Sequence, residues 1–340
     1  MEPVFELMIN FPAEWHPQRF VQLTYPHANT DWAYMLPRAE ECFKNIAREI
    51  AKRQKLLIVT PDIEAVKQQI CNEVDMTNVE FAQAETNDTW ARDHGGITIL
   101  VNDTPVVLDF QFNGWGLKFA ANYDNLITEK LTRKGYIDAP LYNCRHFVFE
   151  GGSIESDGRG TLLTTSECLL SPNRNAGMDR NEIETYLLET FGAEQVLWLE
   201  NGYLAGDDTD SHIDTLARLA PNDTIVYVKC DDENDEHYSA LRAMESELMQ
   251  MKTLQDEEFN LIPLPMAEEV IEDGERLPAT YANYLIINTA VLVPTYNSPL
   301  DAVAIAQIQK AFPDREIVGI DCSALICQHG SLHCVTMQYV

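Results

Sequence analysis

Apolar residues along this chain fall into one recurring order: a short run of strand length, a stretch with helical spacing, and a second short run. The order recurs five times. The first unit predicts a strand at 56–60, a helix opened by Pro61 and Asp62, and a strand at 79–81. The second has strands at 105–110 and 147–149 around a helix near 123–134, and the third has strands at 161–164 and 196–199 around a helix near 180–191. The fourth pairs 224–228 with 260–264 across a helix near 237–251, and the fifth pairs 290–294 with 316–320 across a helix at 299–312. A further strand and a long helix, spanning about 20–53, precede the series.

No Gly/Ser-rich or Pro-rich linker interrupts these units, so the pattern predicts one α/β domain of diverged structural repeats over residues 1–340. A doubly wound sheet is the alternative that the same alternation allows. Polar clusters follow the closing strand of four units: Asn87 to Asp93, Glu150 to Ser153, Gly206 to Asp214, and Gly330 to Cys334. The steps from Asp93 to Glu150, His212 and Cys334 are 57, 62 and 122 residues, the last close to two steps. If the units surround an axis, equivalent loops meet there, and one unit contributes nothing conspicuous.

Composition narrows the functions. With 24 basic and 54 acidic residues the formal charge is −30, which disfavours nucleic acid and suits a small cationic ligand. No apolar run approaches the roughly 18 residues of a membrane span. The first six residues lack the basic start and apolar stretch of a signal peptide, which predicts a cytoplasmic protein. Eight cysteines without a CxxC pair argue against a zinc ribbon or redox dithiol; most read as buried thiols.

The clustered residue types suit chemistry on a guanidinium. This planar cation is held best by carboxylates making paired hydrogen bonds, for which Asp93, Asp214 and Glu150 are candidates. Its delocalised charge makes the carbon a poor electrophile, so attack calls for a thiolate, and Cys334 is the candidate. His212 suits the proton transfers to ammonia and from water. Each has a plainer reading. Asp214 could open a helix over 214–219, residues 90–93 could be a surface turn, Asp88 and Asp210 could be caps, and Trp90 and Trp115 core aromatics. Metal chemistry would use His329 with His333, or His212 with Asp214.

The motifs at 87–93, 112–116, 150–152, 173–175, 207–214 and 333–334 together resemble those of the agmatine deiminase and bacterial peptidylarginine deiminase family, over nearly the whole chain. The resemblance implies a five-bladed α/β propeller of ββαβ units with pseudo-fivefold symmetry, the pentein fold. It implies Cys334 as nucleophile, His212 as general acid and base, Asp93 and Asp214 as guanidinium-holding carboxylates, and Glu150 as a further acidic member. Asp88, Trp90, Trp115 and Asp210 are expected to bind substrate, and no cofactor or metal is implied. Gln328 and His329, and Ser211, stand where the family usually has glycine. Agmatine is the expected substrate, since the run from Asp207 to Asp210 suits an amine tail; arginine or peptidyl-arginine is the alternative, with Arg92 or Arg174 receiving a carboxylate. A non-catalytic guanidinium-binding relative is the remaining reading, and homo-oligomerisation is left open.

Overall fold

The computed structural model describes residues 7–340; residues 1–6, on which the expectation of no leader rests, lie outside the described residues. Five mixed sheets carry the chain, each built on a parallel strand pair joined by a helix, with an antiparallel strand on the first of the pair. Thr104–Gln111 runs parallel to Leu141–Val148 and antiparallel to Ile97–Val101. The same plan joins Thr161–Thr165 to Gln195–Leu199, Thr224–Lys229 to Asn260–Pro265, and Ala290–Thr295 to Glu316–Asp321. The fold is thus mixed α/β.

The sheet at the chain ends departs from the expected first unit. Phe20–Thr24, the helix Leu36–Ala51 and Lys55–Thr60 make its parallel pair, and the C-terminal strand Thr336–Tyr339 supplies the antiparallel partner. The residues expected to precede the series are therefore the repeat itself, and Val79–Gln83 is the added strand. Local periodicity could not separate these, because both segments are strand, helix, strand. The deciding contact pairs Thr336 with Leu23 across almost the whole chain.

Alternation explains how the strands hold the core. In Lys55–Thr60, Leu56 and Ile58 enter one apolar cluster with Phe43, Ile225 and Val291, while Leu57 and Val59 enter a second with Ile97, Val107 and Leu162. Helix ends follow local rules: Arg180–Phe191 opens on a reciprocal cap between Asp179 and Glu182 and closes at left-handed Gly192. The helix allowed at 214–219 does not form. One 3-10 turn at Ile213–Thr215 leads into strand Ala217–Ala220, which Asn222 and Asp223, both at positive φ, fold back against Thr224–Lys229. Among the described residues no helix is long and apolar enough to cross a membrane.

Candidate active site

Each sheet delivers a polar side chain from the segment after its last strand. Asp93 follows Val79–Gln83, Glu150 follows Leu141–Val148, His212 follows Gln195–Leu199, and Cys334 follows Glu316–Asp321. The remaining unit, expected to contribute nothing, delivers Asn283, which lies between strands Asn260–Pro265 and Leu285–Ile286. Its fully buried Oδ1 accepts from the backbone N–H of His333 at 2.9 Å, the N–H of Cys334 at 3.3 Å and the Cys334 thiol at 3.3 Å. One amide oxygen thus fixes the backbone and side chain of the thiol residue. No motif marked Asn283; the vacant place in the repeat was the only signal.

Asp93 sits in the buried short helix Ala91–His94 rather than a surface turn. Its Oδ1 accepts from Gly152 N–H at 3.0 Å and its Oδ2 from the Trp115 indole at 2.9 Å. Burial raises its pKa, against the charge of His212. Asp214 accepts from or shares a proton with His333 Nδ1 at 2.7 Å through Oδ2, and its Oδ1 is buried without a partner. The His333 contact holds the Asp214 carboxyl below its usual range although burial opposes this. A side chain at Gly152 would put Cβ 2.6 Å from His212 Nδ1, 2.9 Å from Asp93 Oδ1 and 3.1 Å from Asp214 Oδ2, so three candidate residues converge on this glycine.

His212 is fully buried and neither ring nitrogen has a hydrogen-bond partner. Nδ1 lies 3.6 Å from Asp93 and Nε2 lies 3.8 Å from Glu150. Burial alone would lower the imidazole pKa, but Asp93, Cys168 and Glu150 together hold it well above its ordinary value. Glu150 is lowered against burial by His212 and Arg174, the latter donating from Nε at 2.9 Å. Cys334 is pushed well up by burial and then by Asp214 and Asp93, which favours the thiol over the thiolate.

Of these groups Cys334 and Asp93 line a small pocket of about 40 Å³ with Trp90 and Trp115, whereas His212, Asp214 and Glu150 are not among its lining residues. Asp88, accepting from the Trp90 indole at 3.0 Å, stands with Asp31 and Asp208 at the same pocket. Burial and the charge of Asp31 push Asp88 up to about 7. Asp88 is therefore a pocket residue rather than a cap. Asp210 is not among the lining residues: it pairs with Arg174 and Lys118, each at 2.6 Å. Its place is taken by Asp208 and Thr209.

The two arginines considered for a carboxylate are both withdrawn. Arg174 is fully enclosed between Glu150 and Asp210, and Arg92 is buried with Nη1 on Met337 Sδ at 3.6 Å. The histidine pair suggested for a metal is also separated in role. His329 bonds the Gly206 carbonyl at 2.6 Å, while His333 sits between Asp214 and Glu14, each at 2.7 Å. Gly330 keeps the face of Trp90 clear, since a Cβ there would overlap the indole ring. His329 takes the left-handed conformation at φ 64 and lines the pocket.

A buried thiol and a carboxylate at one small pocket, with a buried imidazole and two further carboxylates beside them on a mixed α/β frame, fit an amidine hydrolase of the guanidine-modifying class. The chain belongs to the Porphyromonas-type peptidyl-arginine deiminase family, whose model matches residues 10–339. It is 38% identical to a cysteine-to-serine variant of C. jejuni agmatine deiminase solved with substrate bound, covering 100% of this chain and 98% of that one at a TM-score of 0.93. A Porphyromonas gingivalis structure, provisionally named an arginine deiminase, is 53% identical over 97% of this chain and 98% of that one, at a TM-score of 0.92. A Vibrio parahaemolyticus protein provisionally named an agmatine deiminase is 33% identical, covering 96% of each chain.

Proposed function

We propose that the chain hydrolyses agmatine to N-carbamoylputrescine and ammonia through a covalent thiouronium on Cys334. The observation that carries this reading is the pocket: a thiol and Asp93 inside, Asp31, Asp88 and Asp208 beside them, and no lysine or arginine among the lining residues. An amine tail suits those three carboxylates. The carboxylate of arginine would meet them with no cation to receive it, because Arg174 and Lys118 are spent on Glu150 and Asp210. The family name and the agmatine deiminase from C. jejuni support the reaction class. The name given to the P. gingivalis protein keeps arginine as the second reading.

In this reading the guanidinium lies between Asp93 and the unpartnered Oδ1 of Asp214, and its positive charge offsets the carboxylates that hold the thiol up. Cys334 loses its proton to solvent as the guanidinium enters, and the thiolate attacks the guanidinium carbon. The imidazolium of His212 gives its proton to the departing nitrogen, the C–N bond breaks, and ammonia leaves. His212, now neutral, takes a proton from the water that attacks the thiouronium carbon. The C–S bond then breaks as the adduct's remaining hydroxyl proton passes to solvent, releasing the carbamoylated amine and the thiolate. Glu150 steadies His212, and Trp90 and Trp115 shape the pocket. We further read the five sheets as blades of one pentein propeller around a common axis, as a single cytoplasmic domain over residues 1–340.

Ammonia release from agmatine, arginine and an arginine peptide, measured in parallel for the wild type and Cys334→Ala with and without EDTA, tests the reading. Selective turnover of agmatine that ignores EDTA and vanishes in the variant is the expected result. Turnover of arginine or peptide alone overturns the substrate, and ammonia release by Cys334→Ala overturns the mechanism.

A further inference from the structure

Behind the imidazole of His212 lies a second thiol that the reaction does not use. Cys168 is fully buried in the short helix Ser166–Leu169, whose first turn is held by the Thr165 side chain. Its Sγ, a carboxylate oxygen of Glu150 and a ring nitrogen of His212 all lie within 4.8 Å of one another. We propose that Glu150, Cys168 and His212 form an inhibitory site for a zinc-class divalent cation.

Three features support a metal at this point. The first is donor chemistry. One nitrogen, one sulfur and one oxygen form a ligand set that zinc takes readily, with a fourth position left for water. The second is the unsatisfied imidazole: both ring nitrogens of His212 are buried without a partner, although Nε2 is 3.8 Å from Glu150 Oε2. Ordinary zinc bonds give tetrahedral edges of about 3.3–3.7 Å, so that pair closes by a few tenths of an ångström and the sulfur, within 4.8 Å, by up to about 1 Å. The third is the support behind the ligand. Nδ1 of His212 faces Asp93 Oδ1 at 3.6 Å, and a metal-bound imidazole commonly directs its other N–H at a carboxylate.

The charges facing the site are mixed. Glu150, Asp93 and an ionised Cys168 attract a dication, and Arg174, which donates to both oxygens of Glu150, opposes it. Oε2, the Glu150 oxygen nearer His212, is also the one that accepts from Arg174 Nε at 2.9 Å, so a metal bound there shares or displaces that hydrogen bond. Burial pushes the Cys168 thiol up, so a metal that binds its sulfur displaces the thiol proton to solvent. A cation held here occupies the imidazole that the proposed reaction needs, so inhibition rests on that reading whereas binding does not.

Cobalt(II) titration separates the two. Thiolate-to-cobalt charge transfer in the near ultraviolet reports a sulfur ligand without any turnover, and zinc displacing cobalt reports the shared site. We expect the band in wild type and in Cys334→Ala, and its loss in Cys168→Ser and in His212→Asn. Zinc should inhibit wild-type ammonia release reversibly by EDTA, with at least about tenfold weaker inhibition in Cys168→Ser relative to that variant's own zinc-free rate. A band lost in Cys334→Ala but retained in Cys168→Ser overturns the site by assigning the metal to the other thiol. Retention in His212→Asn, or no band in folded wild type, also overturns it. A correct band with no deimination of any substrate would instead remove the reaction and leave the metal site standing.

Discussion

At the scale of single residues, the site works by controlling where protons and charges rest before substrate arrives. Asn283 holds the Cys334 thiol and two N–H groups with one neutral oxygen. Replacing it by Asp keeps the acceptor but adds a charge beside a thiol that Asp214 and Asp93 already push up. Asn283→Asp should move the midpoint of iodoacetamide alkylation against pH upward by about one unit and lower turnover at neutral pH about tenfold. An unchanged alkylation profile would remove Asn283 from the control of the nucleophile. Asp88 gives a second test, with its pKa at about 7. It is mostly neutral at pH 6 and mostly anionic at pH 8, while an aliphatic amine stays cationic throughout. KM for agmatine should therefore fall about tenfold over that interval, and Asp88→Asn should raise KM and flatten its pH dependence with kcat nearly unchanged. Cys334, His212, Asp93, Asp214 and Glu150 were legible as candidates because each stands in a dense polar cluster after a strand. Asn283 and Cys168 were not, since a lone amide and a lone buried thiol look like ordinary loop and core residues until other segments close around them.

At the scale of elements, short turns place these groups more than the long helices do. The 3-10 turn Gly151–Ser153 presses its backbone into the site, and Gly152 N–H donates to Asp93. Gly152→Ala should lower kcat about 100-fold, because the added carbon must displace His212, Asp93 or the turn itself by a sizeable fraction of an ångström. Circular dichroism and kcat measured together check this; an active variant with wild-type spectra would show that the turn yields freely. The sequence marked Arg180–Phe191 through Asp179, Glu182 and the following glycine, all local signals. It allowed a helix over 214–219, where the helical spacing of apolar residues is overridden by a hairpin that pairs Ala217–Ala220 with Thr224–Lys229. Helix signals lie within a few residues of each other, whereas strand identity depends on a partner.

At the scale of the whole molecule, the ends and several sheets are tied together by a buried ionic cluster that no local pattern announces. Arg218 is completely buried and donates to Glu155 at 2.6 Å, Glu14 at 2.7 Å and the carbonyl of Tyr284 at 2.6 Å, with His333 bridging Glu14 to Asp214. The net charge of −30 says nothing about which charges lie inside, and in the sequence Arg218 is only one residue of the stretch 214–219 that allowed a helix. The five-unit rhythm was legible, but closure of the first sheet by Thr336–Tyr339 was not, because that pair is the longest-range contact between strands. Removing Arg218 leaves Glu14 and Glu155 buried without their shared cation. Arg218→Met should cost about 3–5 kcal/mol in urea unfolding. Replacing Glu14, Glu155 and Arg218 together by apolar residues should recover part of that loss, since the desolvated charges are then gone, while turnover stays low because His333 loses the Glu14 carboxylate that fixes its ring against Asp214. If Arg218→Met unfolds at the wild-type urea concentration, the cluster contributes no net stability, and its role is confined to orienting Asp214.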